Sequence, residues 1–121
     1  MTPVETEVEV YVRTGDMNAV VSLLAAAIGP LVIDGPLDAD PVVYRADSVA
    51  VVLQKSEDSF LSVWVRGATI WPSSSALARS LSTELQCVVR CDPGMEFPGI
   101  SPYSNVFLHI ENGFESLVSW G

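Results

Sequence analysis

Charged and apolar residues alternate at the start of the chain. Glu5, Glu7 and Glu9 are interleaved with Val8, Val10 and Val12. Successive side chains of a β-strand point to opposite faces of a sheet. The pattern therefore predicts a strand from about Val4 to Arg13, with buried valines on one face and exposed carboxylates on the other.

A helical repeat follows this strand. Its apolar residues are Met17, Val20, Val21, Leu24 and Ile28. Asp16 precedes the repeat and has the side chain of an N-cap residue. Gly29 and Pro30 end it, because glycine suits the position after a helix and proline cannot continue one.

A second helix is predicted to begin near residues 71–75, where a serine can cap the first free amides. Its apolar stripe consists of Leu77, Ala78, Leu81 and Leu85. Residues 86–91 follow as a short strand, which the turn sequence Asp92-Pro93-Gly94 ends.

Two pairs of segments have the pattern of β-hairpins. In the first, residues 56–59 join a strand from Val42 to Lys55 to a strand over 60–66. The alternative is that the longer strand is broken at Asp47. In the second, residues 106–111 and 114–120 flank Asn112-Gly113, a strong signal for a tight hairpin turn.

Two loops separate these elements. Residues 34–41 form a polar loop that carries Asp34, Asp38 and Asp40. Residues 92–104 contain prolines and glycines without periodicity, and connections of this length are often functional. The second loop carries Glu96, Phe97 and Tyr103.

The predicted order is β-α-β-β-α-β followed by a β-hairpin. The first six elements match the split βαβ arrangement of ferredoxin-like folds, an antiparallel sheet with both helices on one face. We therefore predict an α+β fold of this type in a single domain over residues 1–121, with the hairpin extending one edge. The uncovered face is either solvated or covered by a partner.

The chain is strongly acidic. Its 121 residues include 6 Lys+Arg and 15 Asp+Glu, a formal net charge of −9, and 49% of them are hydrophobic. Such a charge disfavours nucleic acid and anionic membrane surfaces as partners and favours basic proteins. The alternative is that the charge only keeps an apolar-rich chain in solution.

The sequence favours a reducing, cytoplasmic setting. Residues 1–5 lack the basic and apolar regions of a signal peptide, and the most apolar segment, residues 20–33, is interrupted by Gly29 and Pro30. On a strand, Cys87 and Cys91 would lie too far apart for a disulfide. We expect both to be reduced, buried as small apolar residues and dispensable for binding.

No catalytic, metal or cofactor site is predicted, so we expect a protein that is not an enzyme. Cys87, Cys91 and His109 are residue types that occur in zinc sites and in Cys-His catalytic pairs. A structural zinc site needs four ligands, however, and a Cys-His pair needs further groups. The loop that begins at Asp34 has no glycine at the fixed position of a calcium loop and no distal glutamate. Phosphate-binding loops are also absent from the sequence.

Binding of a partner is the function that these residues favour. The row Glu5, Glu7, Glu9 places like charges about 6.6 Å apart on one strand face, which suits either a basic partner or protection of a sheet edge. The predicted contact residues are Glu5, Glu7, Glu9, Asp34, Asp38, Asp40, Glu96, Phe97 and Tyr103. Trp64 is expected in the core and His109 on a solvent-facing strand position.

The second half of the chain, from residues 64–67 through 87–94 and then from 102–108 to 117–121, resembles small bacterial proteins. In size, charge and general type the whole chain is similar to immunity proteins of bacterial toxin systems. The resemblance implies a cytoplasmic inhibitor that binds and neutralises one cognate toxin. A small-molecule sensor or regulatory domain of ferredoxin-like type, paired with a second copy through a sheet edge, is the alternative. A broad carboxylate face would favour the inhibitor, and a concave apolar pocket would favour the sensor.

Overall fold

A computed structural model describes residues 4–36, 38–101 and 103–120, so Leu37 and Pro102 of the two predicted loops, and Gly121, lie outside it. Within those ranges the chain forms two α-helices and eight strands, which confirms the α+β class. The elements are β1 Val4–Arg13, α1 Met17–Ile28, β2 Val32–Ile33, β3 Val42–Ala46, β4 Val49–Lys55, β5 Phe60–Thr69, α2 Ser74–Leu85, β6 Val89–Cys91, β7 Val106–Glu111 and β8 Phe114–Ser119.

The eight strands form one sheet in the order β2-β3-β4-β5-β1-β6-β7-β8. Each strand pairs antiparallel with its neighbours. The first strand in sequence is thus central in space. It pairs along its whole length with β5, from Val4 opposite Thr69 to Arg13 opposite Phe60.

The core lies between one face of the sheet and the two helices. Val8, Val10 and Val12 of β1 are almost fully buried, as the alternation predicts. They share one cluster with Val20 and Leu24 of α1, with Leu77, Ala78 and Leu81 of α2, and with alternate residues of β4, β5, β6 and β7. Both helices therefore cover the same face.

Side-chain caps begin both helices where the sequence predicts them. Asp16 accepts a hydrogen bond from the backbone N–H of Ala19 at 3.0 Å, and Ser73 accepts one from that of Ala76 at 3.2 Å. Gly29, with φ of 115°, follows α1 and donates its N–H to the carbonyl of Ala25. These bonds satisfy amides and carbonyls that a helix end leaves free.

The sheet contains two more strands than the sequence pattern predicts. The segment predicted as one strand over 42–55 is a hairpin, because Asp47 adopts a left-handed φ of 46° and the chain reverses between β3 and β4. β2 adds a two-residue strand on the outside of β3. The ferredoxin-like order is therefore not confirmed by the sheet as a whole.

Other boundaries differ by a few residues. β5 continues past the predicted end at Arg66 to Thr69. β6 begins at Val89 rather than at residue 86, because Gln86 adopts the left-handed conformation and ends α2. The hairpin of β7 and β8 turns at Asn112-Gly113, as predicted. No helix among the described residues has the length and apolar content needed to cross a membrane.

Candidate functional site

The face of the sheet opposite the helices, here called the open face, has no helix of the described chain packed on it. The alternation of each strand decides which residues it presents. On β1 these are Glu5, Glu7, Glu9, Tyr11 and Arg13, because the valines between them point into the core. Ser62, Trp64 and Arg66 of β5 lie directly across from Tyr11, Glu9 and Glu7.

The structure brings together Glu5, Glu7 and Glu9, here called the acidic row, on the open face. All three are exposed. Among the described residues, the ion pairs that form involve other carboxylates, and none includes a member of this row. The row therefore faces solvent without an ion pair of its own, although Arg66 of β5 lies directly across from Glu7.

Neutral donors hold two carboxylates of the row in place. The indole Nε1 of Trp64 donates to Glu7 Oε1 at 3.0 Å. Ser62 donates its hydroxyl to Glu9 Oε2 at 3.1 Å, and Tyr11 lies 3.5 Å from Glu9 Oε1. Partial burial raises the pKa of Tyr11, and the neighbouring charge of Glu9 raises it further. These bonds orient the carboxylates and leave their charge intact.

A hollow of about 560 Å³ opens beside the acidic row. β6 pairs with β1 only over Val10–Val12, so on the side of β1 away from β5 no described strand lies next to Glu9. The hollow occupies this gap. The N–H of Glu9 donates instead to Ser74 Oγ, at the start of α2, at 3.1 Å. The hollow is lined by Glu7, Val8, Glu9, Tyr11, Trp64, Ser74, Asp92 and Phe107.

An aromatic cluster of Tyr11, Phe60, Phe107 and Trp120 occupies the adjoining part of the open face. Tyr11 and Trp120 meet edge to face with ring centroids 5.1 Å apart, and Phe60 and Trp120 are 4.8 Å apart. The guanidinium of Arg90 lies over both Phe60 and Trp120, at 4.9 and 5.0 Å from the ring centroids. Such contacts stabilise the cluster and position its cations.

His109 belongs to this part of the face and is more enclosed than predicted. Its side chain is 14% exposed. Nδ1 lies 2.9 Å from Arg90 Nε, and Nε2 lies 2.9 Å from Glu111 Oε1. Because arginine can only donate, Nδ1 accepts and Nε2 carries the hydrogen that Glu111 receives. This bond to His109 is the main cause of the lowered pKa of Glu111.

The predicted acidic loop lies at another place. Asp34 follows β2 and forms an ion pair with Arg45 of β3 at 2.5 Å. Asp40 accepts from the N–H of Lys55 at 3.1 Å, and Asp38 is exposed. Asp34 follows β2, which β3, β4 and β5 separate from β1, so at ordinary strand spacing it lies roughly 19 Å to the side of the acidic row. Asp40 is nearer, because its partner Lys55 ends β4, two strands from β1.

The predicted residues of the long loop lie on the helix side or away from the row. Glu96 bonds to Ser75 and to Arg79 of α2, and these contacts lower its pKa to about 2. Phe97 is half-buried against the core. Tyr103 is almost fully exposed. The structure thus brings the three glutamates of β1 together and leaves the six other predicted contact residues elsewhere.

Cys91 and His109 lie on opposite faces of the sheet. Cys91 is opposite Val10 on β1 and fully buried in the core, whereas His109 is opposite Arg90 on the open face. Burial raises the pKa of the Cys91 thiol to about 12 and also raises that of Cys87. Both cysteines are free. The considered Cys-His pair is therefore not formed by Cys91.

Trp64 of the candidate site does not lie in the core, contrary to the prediction from the sequence. It stands on the open face between Val63 and Val65, which are fully buried. Its place follows from parity, since it is opposite Glu9 in the register of β1 and β5. Asp92 of the hollow could not be found this way, because it follows β6 in a loop.

Within residues 4–36, 38–101 and 103–120, no cluster of three or more His, Cys, Asp and Glu side chains is suited to hold a metal ion. No protein-family model, no curated protein and no solved structure matches the chain.

Proposed function

We propose that the chain is a non-enzymatic binding protein whose open face docks a basic protein, and that this partner is a cognate bacterial toxin that it neutralises in the cytoplasm. The observation that carries the proposal is the acidic row. Its three carboxylates are exposed, neutral donors orient those of Glu7 and Glu9, and none of the three forms an ion pair within the described chain.

Some other carboxylates of the chain have a cationic partner within the fold. Asp34 is paired with Arg45, and both Glu96 and Glu115 are paired with Arg79. A charge that already has an internal partner offers less to an external one. Docking of lysine or arginine side chains on the row would compensate charges that the fold leaves open, and complementary charge accelerates association.

Trp64 and the hollow supply the apolar part of the docking surface. Trp64 donates its indole N–H to Glu7, the middle residue of the row. Tryptophan is enriched among the residues that dominate binding energy. The hollow has aromatic walls from Tyr11, Trp64 and Phe107, with Glu7, Glu9 and Asp92 among its other lining residues. A cationic side chain inserted there would meet carboxylates and π-systems together.

The proposal extends to the architecture. We infer that β4, β5, β1 and β6 are a ferredoxin-like unit to which β2, β3, β7 and β8 have been added. Support comes from their neighbour order β4-β5-β1-β6, from the antiparallel pairing and from the packing of both helices on one face. In such a unit the face away from the helices is free to bind.

The proposal predicts that a toxin gene lies beside the gene of this chain, and the test is the association rate with that toxin. Replacing Glu5, Glu7 and Glu9 by Gln removes three charges and keeps the size of each side chain. The protein should keep most of its free energy of unfolding, because exposed carboxylates contribute little to it. We expect association to slow by about tenfold at low salt and to become less dependent on salt, because steering is long-range and screened.

The matched control replaces Asp34, Asp38 and Asp40 by Asn, which removes three carboxylate charges from the loop between β2 and β3. This variant should associate almost as fast as the wild type. Equal rates for all three proteins would contradict an acidic interface. A slow control beside a fast row variant would place the interface at the loop, and failure to bind the neighbouring toxin would contradict the immunity function itself.

The second candidate is a sensor of small organic cations. It is favoured by the hollow, whose volume of about 560 Å³ lies in the range of small-molecule sites. A rise in melting temperature with an added amine, abolished by Trp64→Ala, would support it, whereas toxin binding that no amine affects would favour the inhibitor.

A further inference from the structure

β8 forms one outer edge of the sheet, and no strand of the described residues pairs with its outer side. β8 has six residues, and its sequence Phe-Glu-Ser-Leu-Val-Ser contains neither proline nor lysine. Proteins usually protect an exposed edge with such residues, with bulges or by keeping the edge strand short. The opposite edge follows that rule, because β2 has only two residues.

Two of the six large apolar side chains that are exposed among the described residues belong to this edge strand. Phe114 is 80% exposed and Leu117 42%, and both belong to β8. Met95, exposed by 96%, precedes Glu96, which shares Arg79 with Glu115 of β8. An edge that combines free backbone groups with exposed apolar side chains favours pairing with another strand.

One hydrogen bond shows which N–H and C=O groups of β8 point toward β7 and which point outward. The N–H of Trp120 donates to the carbonyl of Asn105 at 2.8 Å, so the backbone groups of Trp120 point toward β7. Direction alternates along an antiparallel strand. The N–H and C=O groups of Ser116 and Val118 therefore also point toward β7, and those of Glu115, Leu117 and Ser119 point outward.

We propose that β8 is a self-association edge, at which two copies of this chain pair antiparallel with Leu117 of one copy opposite Leu117 of the other. This register pairs every outward-pointing residue, since Glu115 then lies opposite Ser119 and the reverse. A register centred on Ser116 leaves Ser119 without a partner in the facing strand. The arrangement is isologous and closes with two-fold symmetry.

No two like charges of β8 face each other in this pairing, although each chain carries −9 overall. The one charged residue of β8, Glu115, is paired with Arg79 of its own chain, and in the proposed register it faces a serine. On the open face, Phe114 would lie opposite Trp120 of the second copy, and Ser116 opposite Val118. The pair would thus join two sheets with both open faces on the same side.

The experiment is sedimentation analysis of the full chain over a range of concentrations. Edge pairing of this size is small for an interface, so we expect a reversible dimer with an affinity in the micromolar range. Leu117→Lys should shift the protein to monomer, because two lysines would then face each other. Circular dichroism checks that this variant is folded.

Val32→Lys is the matched control, since Val32 is an exposed apolar residue on the opposite edge. It should leave the dimer intact. A wild-type chain that stays monomeric at every concentration would overturn the proposal. So would dimers that survive Leu117→Lys and are lost in Val32→Lys, because the contact would then be at β2.

Cysteine cross-linking tests the register. Leu117→Cys should form a disulfide-linked dimer on oxidation, because residues opposite each other in such a pair are within disulfide range. Ser116→Cys should cross-link much less, and the wild type, whose Cys91 is buried, gives the background. Stronger cross-linking at 116 than at 117 would overturn the assigned register.

Discussion

At the scale of single residues, Gly67 shows how backbone approach restricts side-chain choice. It lies in β5 with φ of 130°, against the turn between β3 and β4. A Cβ placed there would lie 2.3 Å from the carbonyl oxygen of Ser48 and 2.9 Å from the Cα of Val49. Both atoms belong to the backbone, so no rotamer change can relieve the contact.

We predict that Gly67→Ala destabilises the fold by about 3 kcal/mol, because it adds a steric clash to an unfavourable φ. Urea unfolding followed by tryptophan fluorescence measures the change. The control is Gly15→Ala, where a Cβ would have nothing within 4 Å, and the effect should be within about 0.5 kcal/mol. Equal stability of the two variants would contradict the close backbone contact between Gly67 and the turn that joins β3 to β4.

At the scale of elements, Arg79 joins the long loop after β6 to a helix and to the edge strand. Arg79 of α2 contacts Glu96 of the loop at 2.7 Å and Glu115 of β8 at 2.8 Å. Hydrogen bonds from Arg79 are the main cause of the lowered pKa of both carboxyls, and Ser75 adds to the effect at Glu96. Helix, loop and edge strand therefore meet at one guanidinium.

The contact predicts how the loop responds to acid. A carboxyl whose folded pKa is depressed stabilises the fold fully above its ordinary pKa, and the contribution is lost as pH falls through the folded value. For Glu96 these limits are 4.5 and about 2. We therefore expect protease resistance of the loop to persist at pH 4 and to decline toward pH 2, measured with pepsin.

Arg79→Met should loosen the loop already at pH 4, because both carboxylates lose their partner. Arg45→Met breaks the ion pair at the opposite edge and should leave cleavage of the loop unchanged. Cleavage of the wild type at pH 4 as fast as that of Arg79→Met would contradict the role of Arg79.

Elements with a strong period could be predicted from the sequence, and those defined by a single turn could not. The valines of β1 and the apolar stripes of both helices locate these elements correctly. β2 has two residues, too few for a period, and the reversal at Asp47 depends on one left-handed residue inside an apolar run. The acidic row was predictable by parity, whereas the hollow depends on where β6 stops.

At the scale of the whole molecule, one core connects both helices with strands from the two halves of the sheet. Its buried residues come from β1, α1, β4, β5, α2, β6 and β7. We predict one cooperative unfolding transition in calorimetry, with van't Hoff and calorimetric enthalpies that agree, because no part of this core can separate without exposing the rest. Two resolved transitions would contradict a single domain.

The central position of β1 has a consequence for synthesis on the ribosome. β1 is made before every strand that it pairs with, and its partners β5 and β6 follow at residues 60–69 and 89–91. Its valines must therefore stay unpaired while about half of the chain is translated. Long-range pairing of this kind slows folding, so the nascent chain has a period in which chaperones, rather than its own sheet, must shield the strand.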